Sequence, residues 1–132
     1  MAEASIMVVE DEGVVSIDIR NMLIRAGYDI AAVAFSGEEA IKKVKETHPD
    51  LVLMDIGLKG EIDGIEAAKK IRERTKIPVV FLTGFADENT LAKAREAEPS
   101  GFIIKPINEE ELYKTIEEAL SSRGFKKNLE SS

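Results

Sequence analysis

The sequence predicts an α/β fold, a doubly wound sheet of five parallel strands flanked by five helices. Short apolar runs alternate about five times with segments in which apolar residues recur at helical spacing. Within the runs, apolar and polar residues do not alternate, which is typical of strands buried on both faces of a parallel sheet. The clearest run is Leu-Val-Leu-Met at 51–54, and it ends at Asp55.

The first strand is predicted over Ser5–Val9, and two acids, Glu10 and Asp11, follow it directly. From Gly13 to Ala26, apolar residues recur every three or four positions, which indicates an amphipathic helix. Gly27 is placed to end that helix in a left-handed turn, because glycine adopts positive φ without steric cost.

A second strand is predicted over Tyr28–Phe35. Ser36, with Glu39 three residues later, is typical of a capping box at the start of the second helix. His48-Pro49 ends this helix, because a residue before proline avoids the helical region. His48, the only histidine, is interpreted as a surface residue.

After the strand that ends at Asp55, the glycine-rich stretch Gly57–Gly64 shows no core pattern and is interpreted as a loop. Ile65–Thr75 is predicted to be a helix and Pro78–Leu82 a buried strand. Asp87–Ala97 is predicted to be a polar helix with a thin apolar stripe, so it should be held less firmly than the others.

The last strand is predicted over Gly101–Ile104, before Lys105 and Pro106. A second capping box, Asn108 with Glu111, opens the last helix, and its pattern fades from Ser121. We expect one domain over residues 1–123 and a polar tail over residues 124–132.

Composition narrows the class of protein. The net charge of −7 and pI of about 4.9 argue against a nucleic-acid-binding surface. No cysteine is present, so disulfides, thiolate zinc sites and cysteine nucleophiles are excluded. No apolar stretch approaches a membrane span, and the N-terminus lacks the pattern of a signal peptide. A cytoplasmic protein without direct contact to membrane or nucleic acid is expected.

Polar side chains cluster where the predicted strands end. Because the carboxyl ends of parallel strands share one edge of a sheet, these side chains should meet there. They are three carboxylates, a hydroxyl and an ammonium, from Glu10, Asp11, Asp55, Thr83 and Lys105.

Crowded carboxylates repel one another unless a cation compensates, and hard oxygen ligands in this number suit Mg²⁺. A carboxylate beside Mg²⁺, with Lys and Thr converging on it, suits phosphoryl transfer to an aspartate. The metal and the ammonium would neutralise the phosphoryl oxygens, and the hydroxyl would donate a hydrogen bond.

This arrangement resembles the receiver domain of two-component response regulators, a flavodoxin-like fold shared with chemotaxis proteins. The resemblance covers about residues 4 to 121. No one of the matching segments is specific, but all of them together, in order at strand ends, are. They are Val8-Val9-Glu10-Asp11, Leu53-Met54-Asp55, Asp63-Gly64, Phe81-Leu82-Thr83-Gly84 and Gly101-Phe102-Ile103-Ile104-Lys105-Pro106.

The resemblance implies that Asp55 is the phosphoacceptor and that Mg²⁺ is the cofactor. Asp11 would bind the metal directly, Glu10 would contribute through a water or at longer range, and the backbone carbonyl of Gly57 would complete the protein ligands.

The resemblance also implies that Thr83 binds a phosphoryl oxygen and that Lys105 pairs with the phosphate. Phe102 occupies the position of the family's switch aromatic, and it would turn into the space that Thr83 vacates on phosphorylation. The bond between Lys105 and Pro106 is expected to be cis.

Four features depart from the family pattern. Gly57 replaces a frequent Asn, Glu10 replaces the commoner Asp, and the loop Gly57–Ile62 lacks the usual proline. The interval from Asp55 to Asp63 is one residue longer than the commonest spacing, so this loop should take a different path. Phe85 is expected to slow hydrolysis of the phosphate.

The expected function is phosphorelay signalling, in which phosphorylated Asp55 changes the face made by the last helices and strand. The chain would catalyse only its own phosphorylation and dephosphorylation, so it would not be an enzyme in the usual sense. Its partners would be a histidine kinase or phosphotransfer protein and a downstream protein or output domain. A homodimer through the last strand and helices is an open possibility, as is a place within a longer chain.

Three alternatives remain open. An Mg²⁺-dependent phosphatase would typically carry a second Asp where this chain has Gly57. A nucleotide or flavin binder would have a glycine-rich loop after the first strand, where acids stand instead. A receiver-like docking module that never reacts would not need all the acceptor, metal and lysine positions to be filled.

Overall fold

Five parallel strands form a single sheet in this computed structural model, which describes residues 4–84 and 87–123. Their order across the sheet is β2-β1-β3-β4-β5, so the predicted fold class is confirmed. The strand bounds are β1 Ser5–Val9, β2 Asp29–Ala34, β3 Leu51–Asp55, β4 Val79–Thr83 and β5 Gly101–Ile104.

Helices cover both faces of the sheet. Two of them, α1 and α5, pack with one apolar core, and the other three pack with a second core on the opposite face. The helix bounds are α1 Gly13–Arg25, α2 Gly37–Thr47, α3 Gly64–Arg74, α4 Glu88–Arg95 and α5 Glu109–Arg123. The last helix continues beyond Ser121, where the apolar pattern of the sequence fades.

Strand β2 forms one edge of the sheet, and its central residues are only half-buried. Its pairing with β1 runs from Asp29 to Ala34, which is shorter than the predicted strand by a residue at each end. Tyr28 lies outside the pairing but is buried, and its hydroxyl is hydrogen-bonded to Glu117 of α5. The burial of Tyr28 thus comes from helix packing rather than from the sheet.

Helix ends follow the predicted chemistry. Gly27 has a φ of 94° after α1, and His48 ends α2 at a φ of 49°, exposed to solvent. The backbone N–H of Glu39 donates to Ser36 Oγ at 3.1 Å, and that of Glu111 donates to Asn108 Oδ1 at 3.0 Å. These bonds satisfy amide groups that have no acceptor within the first helical turn.

The predicted loop after Asp55 has more core character than its sequence suggested. Ile56 and Leu58 are both buried, and Ile62 packs against the core from the side. Gly64 already belongs to α3, because Asp63 caps that helix by accepting a hydrogen bond from the backbone of Glu66 at 2.9 Å.

Helix α4 is shorter than predicted, and its apolar side is as thin as the sequence indicated. Of its eight residues only Ala94 is buried, and Leu91 is half-buried. The predicted effect of Phe85 and the predicted tail at 124–132 both fall outside the described residues. Within residues 4–84 and 87–123, no helix combines the length and apolar character that crossing a bilayer requires.

Candidate functional site

Strand register brings the predicted site residues to one edge of the sheet. Val9 pairs with Met54, so Glu10 and Asp55 lie side by side where β1 and β3 end. Thr83 is the last residue of β4, the next strand along the sheet. Lys105 directly follows β5, and its backbone N–H donates to the Thr83 carbonyl at 2.8 Å.

Three carboxylates converge at this edge. Glu10, Asp11 and Asp55 each present an oxygen within 4.8 Å of the others. Glu10 and Asp55 are buried, whereas Asp11 is partly open to solvent. Buried negative charges at this spacing require compensation by a cation.

Lys105 supplies a positive charge to the same cluster. Its Nζ lies 2.9 Å from Glu10 Oε1 and 3.5 Å from Asp55 Oδ1. Burial and the charge of Asp55 raise the pKa of Glu10 above its ordinary value, although the hydrogen bond from Lys105 opposes them. Burial alone would lower the pKa of Lys105, but the hydrogen bond to Glu10 and both carboxylate charges together raise it. Lys105 therefore stays charged among the acids.

A backbone amide holds each of the three carboxylates. The N–H of Glu12 donates to Glu10 Oε2, that of Gly57 to Asp55 Oδ1, and that of Lys59 to Asp11 Oδ2, each at 3.1 Å. Hydrogen bonds of this kind fix the orientation of a carboxylate.

A close backbone contact fixes the strand end that carries Asp55. A Cβ atom on Gly64 would lie only 2.1 Å from the backbone oxygen of Asp55. The Gly64 N–H also donates to the Ile56 carbonyl at 3.1 Å. Only glycine permits α3 to begin this near to β3.

An open cleft of about 420 Å³ lies over the carboxylates. Thr83 and Lys105 line it together with residues that the sequence did not single out, among them Lys59 and Thr90. Thr90 stands in the first turn of α4, and Lys59 stands in the loop after Asp55. The longer loop predicted a different path for this segment but did not single out Lys59, and a threonine in a polar helix gave no signal either.

Phe102 is not brought into the cluster. Its ring lies 5.9 Å from that of Phe81, centroid to centroid, at a tilt of 38°. It is half-buried against the core that also contains Ala94 of α4. The peptide bond between Lys105 and Pro106 is cis, the conformation that the resemblance implies.

A family model of the response regulator receiver domain matches residues 6–117. The chain belongs to this family. Its sheet order and its helices are therefore those of a receiver domain of two-component systems.

Known relatives include regulators of different lengths. The transcriptional regulatory protein PdtaR of Mycobacterium tuberculosis (strain H37Rv) is 34% identical over 116 residues, which are 88% of this chain and 56% of PdtaR. The chain thus spans little more than half the length of PdtaR. The chemotaxis protein CheY of Bacillus subtilis is 30% identical over 117 residues, which are 88% of this chain and 97% of CheY.

Solved structures of receiver domains superpose closely on this chain. The signal receiver domain of a modulated diguanylate cyclase from Desulfovibrio desulfuricans G20 has a TM-score of 0.88 at 31% identity, covering 94% of this chain and 98% of that domain. A LuxR-family response regulator from Aurantimonas sp. SI85-9A1 has a TM-score of 0.85 at 35% identity, covering 92% and 88%.

Proposed function

We propose that this receiver domain is a phosphorylation-operated switch in which Asp55 accepts a phosphoryl group in an Mg²⁺-dependent reaction. The observation that carries the proposal is the meeting of three carboxylates and Lys105 at one edge of the sheet, where Asp11, Asp55 and Lys105 line an open cleft. A purely structural cluster would not require the carboxylates of Asp11 and Asp55 to line an open cleft.

The donor set fits Mg²⁺. Carboxylate oxygens are hard ligands, and Mg²⁺ typically takes one or two of them and keeps several waters, which an open cleft accommodates. Asp11 and Asp55 would hold the ion with the carbonyl of Gly57, and Glu10 would act through a water. When bound, the ion would neutralise negative charge on the phosphoryl oxygens.

Phosphoryl transfer would proceed by attack of an Asp55 carboxylate oxygen on phosphorus. With a phosphohistidine donor, a P–O bond forms and the P–N bond breaks, and the bonding electron pair returns to the imidazole nitrogen. Lys105, held by Glu10 at 2.9 Å, would pair with the phosphoryl group, and Thr83 would donate its hydroxyl to another phosphoryl oxygen. The chain would thus act only on itself.

Response regulators receive phosphoryl groups from histidine kinases and control attached or separate output modules. We propose the same partners here, with residues 1–123 acting as the receiver unit. Movement of Thr83 and Phe102 would carry the signal to the surface made by α4, β5 and α5, where a second copy or an output partner would bind.

The proposal is tested by incubating the protein with radiolabelled acetyl phosphate, with and without Mg²⁺. We expect stoichiometric, Mg²⁺-dependent labelling that Asp55→Asn abolishes. Asp29→Asn is the matched control, because Asp29 is an exposed aspartate at the opposite end of the sheet. Labelling that persists in Asp55→Asn, or that needs no divalent ion, would contradict the proposal.

A further inference from the structure

The segment that joins β3 to α3, residues 56–63, is called here the β3–α3 loop. It is attached on one side to the carboxylate cluster and on the other side to the beginning of α2. The two attachments are made by Lys59 and Glu61, which only one residue separates. A displacement of one attachment should therefore displace the other.

The attachment to the cluster is made by a backbone amide. The N–H of Lys59 donates to Asp11 Oδ2 at 3.1 Å. Asp11 is the carboxylate of the cluster that solvent reaches best. Without this bond its side chain would be free to rotate, whereas with it the second oxygen is held ready for a cation.

The attachment to α2 is made by the side chain of Glu38. The N–H of Glu61 donates to Glu38 Oε2 at 3.1 Å. Between the two attachments lies Gly60 at a φ of 120°, and a Cβ there would lie 3.3 Å from Glu38 Oε1. The chain therefore contacts Asp11 at Lys59 and then turns tightly around the Glu38 carboxylate.

The helix itself does not depend on this carboxylate for its cap. Ser36 already accepts the hydrogen bond from Glu39 that caps α2. A carboxylate in the first turn also interacts favourably with the helix dipole, but that effect depends on its charge and not on the length of its side chain. Substitution of Glu38 can therefore separate the effect of side-chain length from the effect of charge.

We infer that Glu38 is a positioning residue for the metal ligand Asp11 and that it acts through the backbone of the β3–α3 loop. Glu38 holds Gly60 and Glu61, and these place the Lys59 amide on Asp11. The inference rests on the proposed function in one respect, namely that the cluster binds Mg²⁺.

The test is an Mg²⁺ titration followed by the NMR signals of the backbone amides of Lys59 and Glu61. Groups that orient metal ligands directly typically change affinity by 10–100-fold, and Glu38 acts one step further out, so we expect about threefold weaker binding in Glu38→Asp and in Glu38→Gln. Glu38→Asp is the decisive variant, because it keeps the charge and shortens the side chain by one methylene. Amide exchange at Glu61 should rise in both variants.

Glu46→Gln is the control, because Glu46 is an exposed acid on the same helix. This control should leave unchanged both the Mg²⁺ affinity and the urea concentration at which half of the protein is unfolded. An unaltered Mg²⁺ affinity in Glu38→Asp, or weakening by Glu46→Gln equal to that by Glu38→Gln, would overturn the inference while leaving the proposed function in place. Absence of Mg²⁺ binding by the unsubstituted protein would instead remove the proposed function.

Discussion

Helices α3 and α4 each follow a strand that ends in a site residue, but they differ in how much apolar surface they bury. Helix α3 follows the strand of Asp55 and buries Gly64, Ile65, Ala67, Ala68 and Ile71. Helix α4 follows the strand of Thr83 and buries only Ala94. Both helices carry charged residues on their outer faces, so the difference lies in the apolar side.

The difference divides the site into two halves. Asp55 lies against α3 through the close contact of Gly64, so the proposed acceptor belongs to the firmly packed half. Thr83 and Thr90 line the same cleft. Thr83 ends the fully buried strand β4, whereas Thr90 stands on α4, where little apolar area resists movement. A switch needs a coupling free energy of only about 1–3 kcal/mol, and a weakly packed helix is the element that such an energy can displace.

The largest effect is expected from Gly64→Ala compared with Gly84→Ala. A Cβ at Gly64 would overlap the Asp55 backbone oxygen at 2.1 Å, so β3 and α3 must separate, at a cost of about 3 kcal/mol in the free energy of unfolding. A Cβ at Gly84 would meet only Lys105 Cδ, at an ordinary 3.8 Å. Urea unfolding should show a change of less than about 0.5 kcal/mol for Gly84→Ala. Equal stability of the two variants would mean that α3 is not firmly seated.

The next effect concerns the apolar sides of the two helices. Ile71→Ala empties a fully packed position on α3 and should lower the free energy of unfolding by about 3 kcal/mol. Leu91→Ala removes a half-buried side chain of α4 and should cost about 1 kcal/mol, because less buried surface is lost. Thermal or urea denaturation measures both. A larger loss for Leu91→Ala would reverse the assignment of the firm and the mobile helix.

Much of this contrast could be predicted from the sequence. The runs at 51–54 and 79–82 have no polar residue, so buried strands were the only economical interpretation. The thin stripe of Leu91 and Ala94 predicted a loosely held helix, because the packing of a helix depends on its apolar side. Strand ends were less certain, as Tyr28 shows, since burial by a helix and burial by a sheet leave the same apolar signal.

The sequence predicted the parts of the site that side chains form, but not the parts that the backbone forms. Glu10, Asp55 and Lys105 stand at strand ends, and parallel pairing brings strand ends together. The amides of Gly57 and Lys59 that hold the carboxylates carry no sequence signal, because every residue except proline has such a group. The close contact between Gly64 and the backbone of β3 likewise depends on the path of the chain, which side-chain patterns do not specify.

The smallest expected effect is the difference between α3 and α4 in their response to a phosphoryl mimic. Beryllofluoride imitates a phosphoryl group on a carboxylate, and in the unsubstituted protein with Mg²⁺ it should change amide exchange in α4 by about fivefold, equivalent to about 1 kcal/mol, and in α3 by much less. Thr83→Ala should still bind beryllofluoride at Asp55 but lose the response of α4, because this variant lacks the hydroxyl that, in the proposed function, would link the phosphoryl group to β4. Thr47→Ala, at the exposed end of α2, is the control. An equal response of α3 and α4, or a full α4 response in Thr83→Ala, would show that the signal leaves the site by another route.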